Sequence, residues 1–188
     1  MPSPDAPGRR VRSTLCFPFK VKRLLLLRHA KASSSHPGLT DRDRPLTNRG
    51  RRDAQAIGER LQRDGVVPEL VLCSPAKRTR ETLEGVVAAL GDRTEVRFDR
   101  RIYAASEAEL LAVLREVEDG VGTVLMIGHN PGTHRLAVTL AGGGPEIERL
   151  CAKFPTAALA RLEFAGPWRV LAAASADLVS FVAPGELA

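Results

Sequence analysis

The sequence predicts an α/β protein, a three-layer α/β/α sandwich around a mostly parallel central sheet. Three observations carry that expectation. Apolar runs of strand length alternate with helix-patterned stretches from Val21 onward, the signature of a parallel sheet covered by helices. Two of those runs, VKRLLLLRH (21–29) and GTVLMIGH (122–129), are continuous rather than alternating, as in strands buried on both faces. Aromatic residues make up only 4% of the chain against 44% hydrophobic residues, so Ala, Val and Leu carry the apolar mass, which suits helices packed on a sheet.

Each element follows in order. After the first strand and a polar loop, LTNRGRRDAQAIGERLQRDG reads as a helix. Thr47 is its N-cap, Ala54, Ile57 and Leu61 form a stripe at helical spacing, and Gly65 ends it. PELVLCS (68–74) is a short apolar strand. SPAKRTRETLEGVVAAL follows as a helix, with Ser74 as N-cap and Pro75 at the first helical position. TEVRF (94–98) reads as an edge strand. SEAELLAVLREVED (106–119) is an amphipathic helix opened by a capping box of Ser106 and Glu109. Asn130-Pro131 starts a further helix, through about Ala141, and Gly142-Gly143-Gly144 reads as a loop. AALARLEF and WRVLAAAS are expected as two late strands joined at Gly166-Pro167. The domain is expected over 21–175, with a disordered basic tail at 1–20 and a C-terminal tail at 176–188.

The formal charge of +6 suggests nucleic acid until it is located. Residues 1–23 carry a net +5, so the body is nearly neutral. The basic excess belongs to a Pro- and Gly-punctuated tail, and no nucleic-acid partner is expected of the body. STLCFPF is too short for a signal peptide and is broken by Pro18. No apolar run is long enough to cross a bilayer. Cys16, Cys73 and Cys151 are odd in number and lack paired spacing, which points to a reducing compartment; a cytoplasmic protein is expected.

The chemistry lies where strands end. Ligands of open α/β sheets bind outside the carboxyl ends of the strands. Arg28 and His29 stand at that end of the first strand, and His129 at the same end of GTVLMIG. The helix after VLC places Arg78 in its first turn. Helix N-termini favour anions, and Ser74-Pro75 and Asn130-Pro131 open two helices on this rim. Two guanidiniums, two imidazoles and two helix termini suit a tetrahedral oxyanion, with phosphoryl foremost. A histidine among guanidiniums is held neutral, and its lone pair can attack phosphorus to give a covalent phosphohistidine. Arg28, Arg78 and His129 would offset the equatorial charge of the transition state.

LLLLRHAK, DRPLTNRG, VLCSPAKRTRET, MIGHNPG and KFPTAALA, in that order, resemble the histidine phosphatase superfamily, and within it the compact SixA-type phosphohistidine phosphatases. The resemblance runs from about Val21 to about Phe164. It implies a phosphoglycerate mutase-like fold and a metal-independent phosphatase without cofactor. His29 would be the phosphorylated nucleophile, Arg28, Arg78 and His129 would bind the phosphoryl group, and Arg44 of the RPLT motif would sit near the pocket entrance. Only about fifteen residues separate the SPAKRTRET helix from the next, so the cap insertion of larger relatives does not fit. The resemblance thus implies a phosphorylated protein, foremost one bearing phosphohistidine, or a small phosphorylated metabolite as substrate. A mutase and a non-catalytic phosphate-binding module are the alternatives. Ala30 stands where the family signature has glycine. The leaving-group acid of larger relatives has no clear counterpart; Asp99 and Glu107 are candidates by position alone.

Other residues carry structural readings. His36 and His134 are expected at the surface. His129 and His134 lack the spacing of a zinc pair, and no metal is expected. Cys-dependent phosphatases need an arginine six residues after the cysteine; here Thr79 holds that position, so Cys73 reads as a buried small residue.

Overall fold

The computed structural model describes residues 20–34, 38–90 and 94–186. Most of the N-terminal tail, Cys16 and His36 lie outside the described residues. Seven strands form one sheet in the order β3-β2-β4-β1-β6-β7-β5. They are β1 (Val21–Arg28), β2 (Leu70–Cys73), β3 (Glu95–Phe98), β4 (Thr123–Gly128), β5 (Ala141–Gly143), β6 (Leu159–Ala165) and β7 (Ala176–Val182). The helices are α1 (Asn48–Arg63), α2 (Lys77–Leu90), α3 (Glu107–Arg115), α4 (Gly132–Leu140) and α5 (Ile147–Ala152).

β1 explains the layering. Leu24 to Leu27 are all fully buried, and successive side chains of a strand point to opposite faces. Leu24 and Leu26 join a core built from α3, α4, α5 and Trp168. Leu25 and Leu27 join a second core under α1 and α2. A strand with a helical layer on each face has no room for polar alternation, hence the leucine run. The three-layer α/β expectation holds.

Direction divides the sheet. β1, β4, β2 and β3 are mutually parallel, as β5 is to β7, while β6 runs antiparallel to both β1 and β7. β3 lies at the edge, as expected. Thr47 caps α1 by accepting from the Gly50 N–H at 3.0 Å, and Ser106 with Glu109 makes a complete capping box on α3.

Four expectations fail. WRVLAAAS is not a strand: Trp168–Val170 is a 3-10 turn, and the buried indole donates to the Val121 carbonyl at 2.8 Å. The last sheet strand is β7, inside the segment read as a C-terminal tail. ADLVSFV buries Ala176, Leu178, Phe181 and Val182 while exposing Asp177 and Val179, the half-buried pattern of a strand near a sheet margin. The glycine loop contributes β5, which pairs with β7. Ser74 is not a cap, because α2 begins at Lys77 and the Ser74 hydroxyl turns to His129.

Candidate active site

Register brings the two histidines together. β1 and β4 are parallel neighbours with Arg28 opposite Gly128, so His29 and His129 leave the sheet side by side. The His29 N–H donates to the Gly128 carbonyl at 3.1 Å, and the Ala30 N–H donates to Thr82 Oγ1 of α2 at 3.0 Å. The Ala157 N–H reaches the carbonyls of both Arg28 and His29. The imidazole centroids end 5.2 Å apart, with the rings inclined at 53°.

The protonation state of His29 follows from its partner. Its Nδ1 lies 2.8 Å from the Ala30 carbonyl, which can only accept, so Nδ1 carries the hydrogen and Nε2 keeps its lone pair. Burial, then the charges of Arg78, Arg28 and Arg44, lower the His29 pKa to about 4 against the pull of that hydrogen bond. His129 is lowered to about 3, by burial first and then by His29 and Arg78. Its Nε2 is 2.8 Å from Ser74 Oγ. Both rings are therefore neutral at neutral pH.

The arginines approach from different elements. Arg28 donates from Nη1 to the Phe154 carbonyl at 2.8 Å, which also accepts from Asn130 Nδ2 at 2.9 Å. Arg78, from the first turn of α2, is buried; its Nη1 donates to the Asp41 carbonyl at 2.5 Å and its Nη2 to Asp41 Oδ2 at 3.0 Å. Arg44 donates from Nε to the Ser33 carbonyl at 2.7 Å and from Nη1 to Asp41 Oδ1 at 2.9 Å. Its segment is pinned where the Leu46 N–H meets Glu81 Oε2 of α2 at 2.8 Å. The side chain of Arg28 thus lies at the Phe154 carbonyl, and those of Arg78 and Arg44 meet at Asp41. All three exert their charge on His29.

Two residues at this rim escape a reading of the sequence. Asp41 sits in a 3-10 turn (Asp41–Asp43) and accepts from Arg78, Arg44 and the Tyr103 hydroxyl, the last at 2.8 Å. Tyr103 also sets its ring 5.4 Å from His129 in an edge-on arrangement. The hydrogen bonds from Tyr103 and Arg44 hold the Asp41 carboxyl down to about 2. The spacing of Asp41 and Arg44, three residues apart, was the available hint, and Tyr103 is the sole tyrosine of the chain. Gly132 lets these pieces close: a Cβ there would lie 2.0 Å from the Ala105 carbonyl, so the start of α4 can abut the segment that carries Tyr103.

Four buried polar atoms, Arg28 Nε, His129 Nδ1, Asn130 Oδ1 and Thr133 Oγ1, have no hydrogen-bond partner among the described residues. They gather at the carboxyl ends of β1 and β4. A buried guanidinium or imidazole nitrogen left unpaired costs free energy, which a bound oxyanion offsets. Among the described residues, no group of three or more His, Cys, Asp or Glu is placed to hold a metal ion.

These features agree with what the chain resembles. Residues 24–105 match the family described as histidine phosphatase superfamily (branch 1). The Mycobacterium tuberculosis protein Rv1276c is 39% identical over 163 residues, 84% of this chain and 99% of that protein. The chain belongs to the histidine phosphatase superfamily. Among solved structures, one from Nakamurella multipartita, by name a phosphohistidine phosphatase SixA, is 30% identical with a TM-score of 0.75, covering 88% of this chain and 97% of that one. A SixA structure from Agrobacterium tumefaciens is 28% identical with a TM-score of 0.74, over 87% and 98% of the two chains. This histidine phosphatase is of the compact SixA type: only β3 and a 3-10 turn stand between α2 and α3 among the described residues, and no cap domain is inserted there.

The remaining candidates fall away from the centre. Asp99 caps the turn at Arg100–Ile102 and pairs with Arg101. Glu107 lines a separate surface hollow with His134, Arg135 and Cys151. His134 is partly buried, not superficial, and its Nε2 bonds the Leu150 carbonyl at 2.7 Å, tying α4 to α5. Burial pushes the Cys73 thiol up to about 12, as suits an inert core residue. Among the described residues no helix is long and apolar enough to cross a membrane.

Proposed function

We propose that this phosphatase works through a covalent phosphohistidine at His29, with no metal ion in the transfer step, and that phosphohistidine on a protein is its leading substrate. The observation that carries the reading is the neutral His29 ring, whose hydrogen is fixed on Nδ1 by the Ala30 carbonyl while Nε2 keeps its lone pair.

In the first step the Nε2 lone pair forms a bond to phosphorus as the bond to the leaving atom breaks, its electron pair going with the leaving group. Arg28, Arg78 and His129 meet the charge on the equatorial oxygens, and Arg44 binds at the rim. Water then attacks the phosphorus of phospho-His29. The P–Nε2 bond breaks, inorganic phosphate departs, and the water's protons end on phosphate and solvent.

Two considerations support phosphohistidine over a small ester. An uncapped pocket can receive a side chain borne on a protein. Transfer between two imidazoles exchanges like for like, so it asks for no strong acid, and neither Asp99 nor Glu107 sits at the centre. The names of the SixA relatives support the same class.

The test compares kcat/KM on a phosphohistidine peptide, p-nitrophenyl phosphate and phosphoglycerate, for wild type and His29→Ala. The expected result is preference for the peptide and a loss of about a thousandfold or more in His29→Ala. Turnover that survives His29→Ala would overturn the mechanism. Preference for phosphoglycerate would move the substrate class to a small phosphoester. Tight phosphate binding without turnover would favour a binding module.

A further inference from the structure

Asp41 is an acid whose charge reaches His129, yet its bonding suits it poorly for donating a proton. Its carboxylate accepts from Arg78, Arg44 and Tyr103, and those bonds keep it ionised far below neutral pH. A carboxylate in that state cannot protonate an alkoxide as it leaves, and its charge opposes the negative charge that grows on such an oxygen. Toward a cationic leaving group the sign reverses.

The geometry points to Asp41 as a specificity-determining residue, whose carboxylate favours a phosphoryl group carried on a protonated imidazole ring over one carried on an ester oxygen. The inference rests on the reading of His29 as nucleophile. Arg78 is 8% exposed along its side chain and Asp41 is 54% exposed, so the pair runs from a buried guanidinium to a carboxylate at the surface. The carboxylate is in direct contact with Arg78, 3.0 Å from its Nη2, and is itself open to solvent. Oδ2 already accepts two hydrogen bonds and Oδ1 one, and a carboxylate offers about four acceptor sites, so Oδ1 can take another from a ring N–H.

The step balances without an outside acid. The His29 Nε2 lone pair bonds to phosphorus, and the P–N bond to the substrate ring breaks with its pair returning to that ring nitrogen. The ring's other nitrogen keeps its proton throughout, so a neutral imidazole leaves. An adjacent anion stabilises the protonated ring before transfer and raises the pH at which it loses that proton.

The other groups facing Asp41 are few. Arg78 comes from α2, Arg44 from the segment after the 3-10 turn, and Tyr103 from the segment before α3, with Arg42 over the Tyr103 ring at 5.8 Å. His129 feels the charge of Asp41, and Asp43 on the same turn is occupied by Thr40 at 2.6 Å. The arginines have a phosphoryl group to answer once substrate binds, which leaves Asp41 to face the ring.

Single-turnover phosphorylation of His29 tests the inference, using phosphoimidazole and p-nitrophenyl phosphate as donors across a pH series. Wild type, Asp41→Asn and Asp41→Glu are compared, with circular dichroism to verify folding. In wild type the alkaline fall in rate on phosphoimidazole is expected above the pH at which the free compound titrates in the same buffer. In Asp41→Asn that fall moves down toward the free value, and the rate at about pH 8 drops about tenfold, the equivalent of one pH unit. Any loss of Arg78 positioning slows both donors alike, so the reading is the ratio of the phosphoimidazole rate to the p-nitrophenyl phosphate rate at about pH 8, which is expected to fall about tenfold in Asp41→Asn, with Asp41→Glu restoring the ratio and the alkaline limb. Equal slowing on both donors would overturn the inference, leaving Asp41 to hold Arg78 alone, as would an alkaline limb that does not move. Wild-type transfer from p-nitrophenyl phosphate only would overturn both this inference and the phosphohistidine substrate. Transfer from neither donor would overturn the His29 mechanism itself.

Discussion

The neutrality of the two imidazoles has a cost in acid that can be measured without any substrate. In the unfolded chain each histidine titrates near its ordinary value of 6.5, whereas in the fold His29 is held at about 4 and His129 at about 3. Below pH 6.5 the unfolded state therefore binds protons that the folded state refuses, and stability falls as pH falls. The loss levels off for each ring only below its folded value. Between pH 6.5 and 5 each ring contributes about 1.5 pH units of this difference, or about 2 kcal/mol. Carboxylates titrate lower, so this window belongs to the histidines. Urea unfolding at pH 7 and pH 5 measures it, in wild type and in His29→Asn and His129→Asn. Each substitution should remove about 2 kcal/mol of the pH-dependent loss, so each variant should be less acid-sensitive than wild type. Stability differences between pH 7 and 5 that are identical in all three proteins would refute the reasoning, because both rings would then accept protons freely in the fold.

Three further outcomes follow from the geometry. Arg78→Ala should lower kcat/KM by about a hundredfold to a thousandfold, and Arg78→Lys should recover only part of it, since a lysine cannot grip Asp41 and a phosphoryl oxygen with one planar fork; steady-state kinetics with any turned-over phosphoester checks both. Cys73→Ala should keep its activity within about threefold, and thiol alkylation near neutral pH should not inactivate the enzyme, because a thiol at about 12 offers almost no thiolate. Trp168→Phe should cost about 2 kcal/mol in urea unfolding with the site intact, through loss of the indole bond to the Val121 carbonyl and the volume left unfilled.

The centre of the site was legible because it is written in backbone logic. A leucine run that stops at Arg28 and His29, and a second apolar strand that stops at His129, can only be two buried strands presenting polar residues at one rim. Arg78 was readable from its place in the first turn of α2. Asp41 and Tyr103 were not, because an exposed acid in a short turn and a lone tyrosine acquire meaning only when α2, the RPLT segment and the start of α3 converge. Ser74 misled in a different way: a serine before a proline has the chemistry of a helix cap, and nothing local says that its hydroxyl will face a histidine on another strand. At the C-terminal end, WRVLAAAS and ADLVSFV are similarly apolar. Tertiary contacts decide between them: Trp168 fills the core from a 3-10 turn, and ADLVSFV pairs with β6 and β5.

The central claim is that His29 itself carries the phosphoryl group, and rapid-quench trapping tests it most directly. Brief incubation with a labelled phosphoryl donor should give a protein-bound label that is lost in acid, survives alkali and maps by mass spectrometry to His29 alone. Label on another residue, or full turnover with no labelled protein at any time, would contradict it.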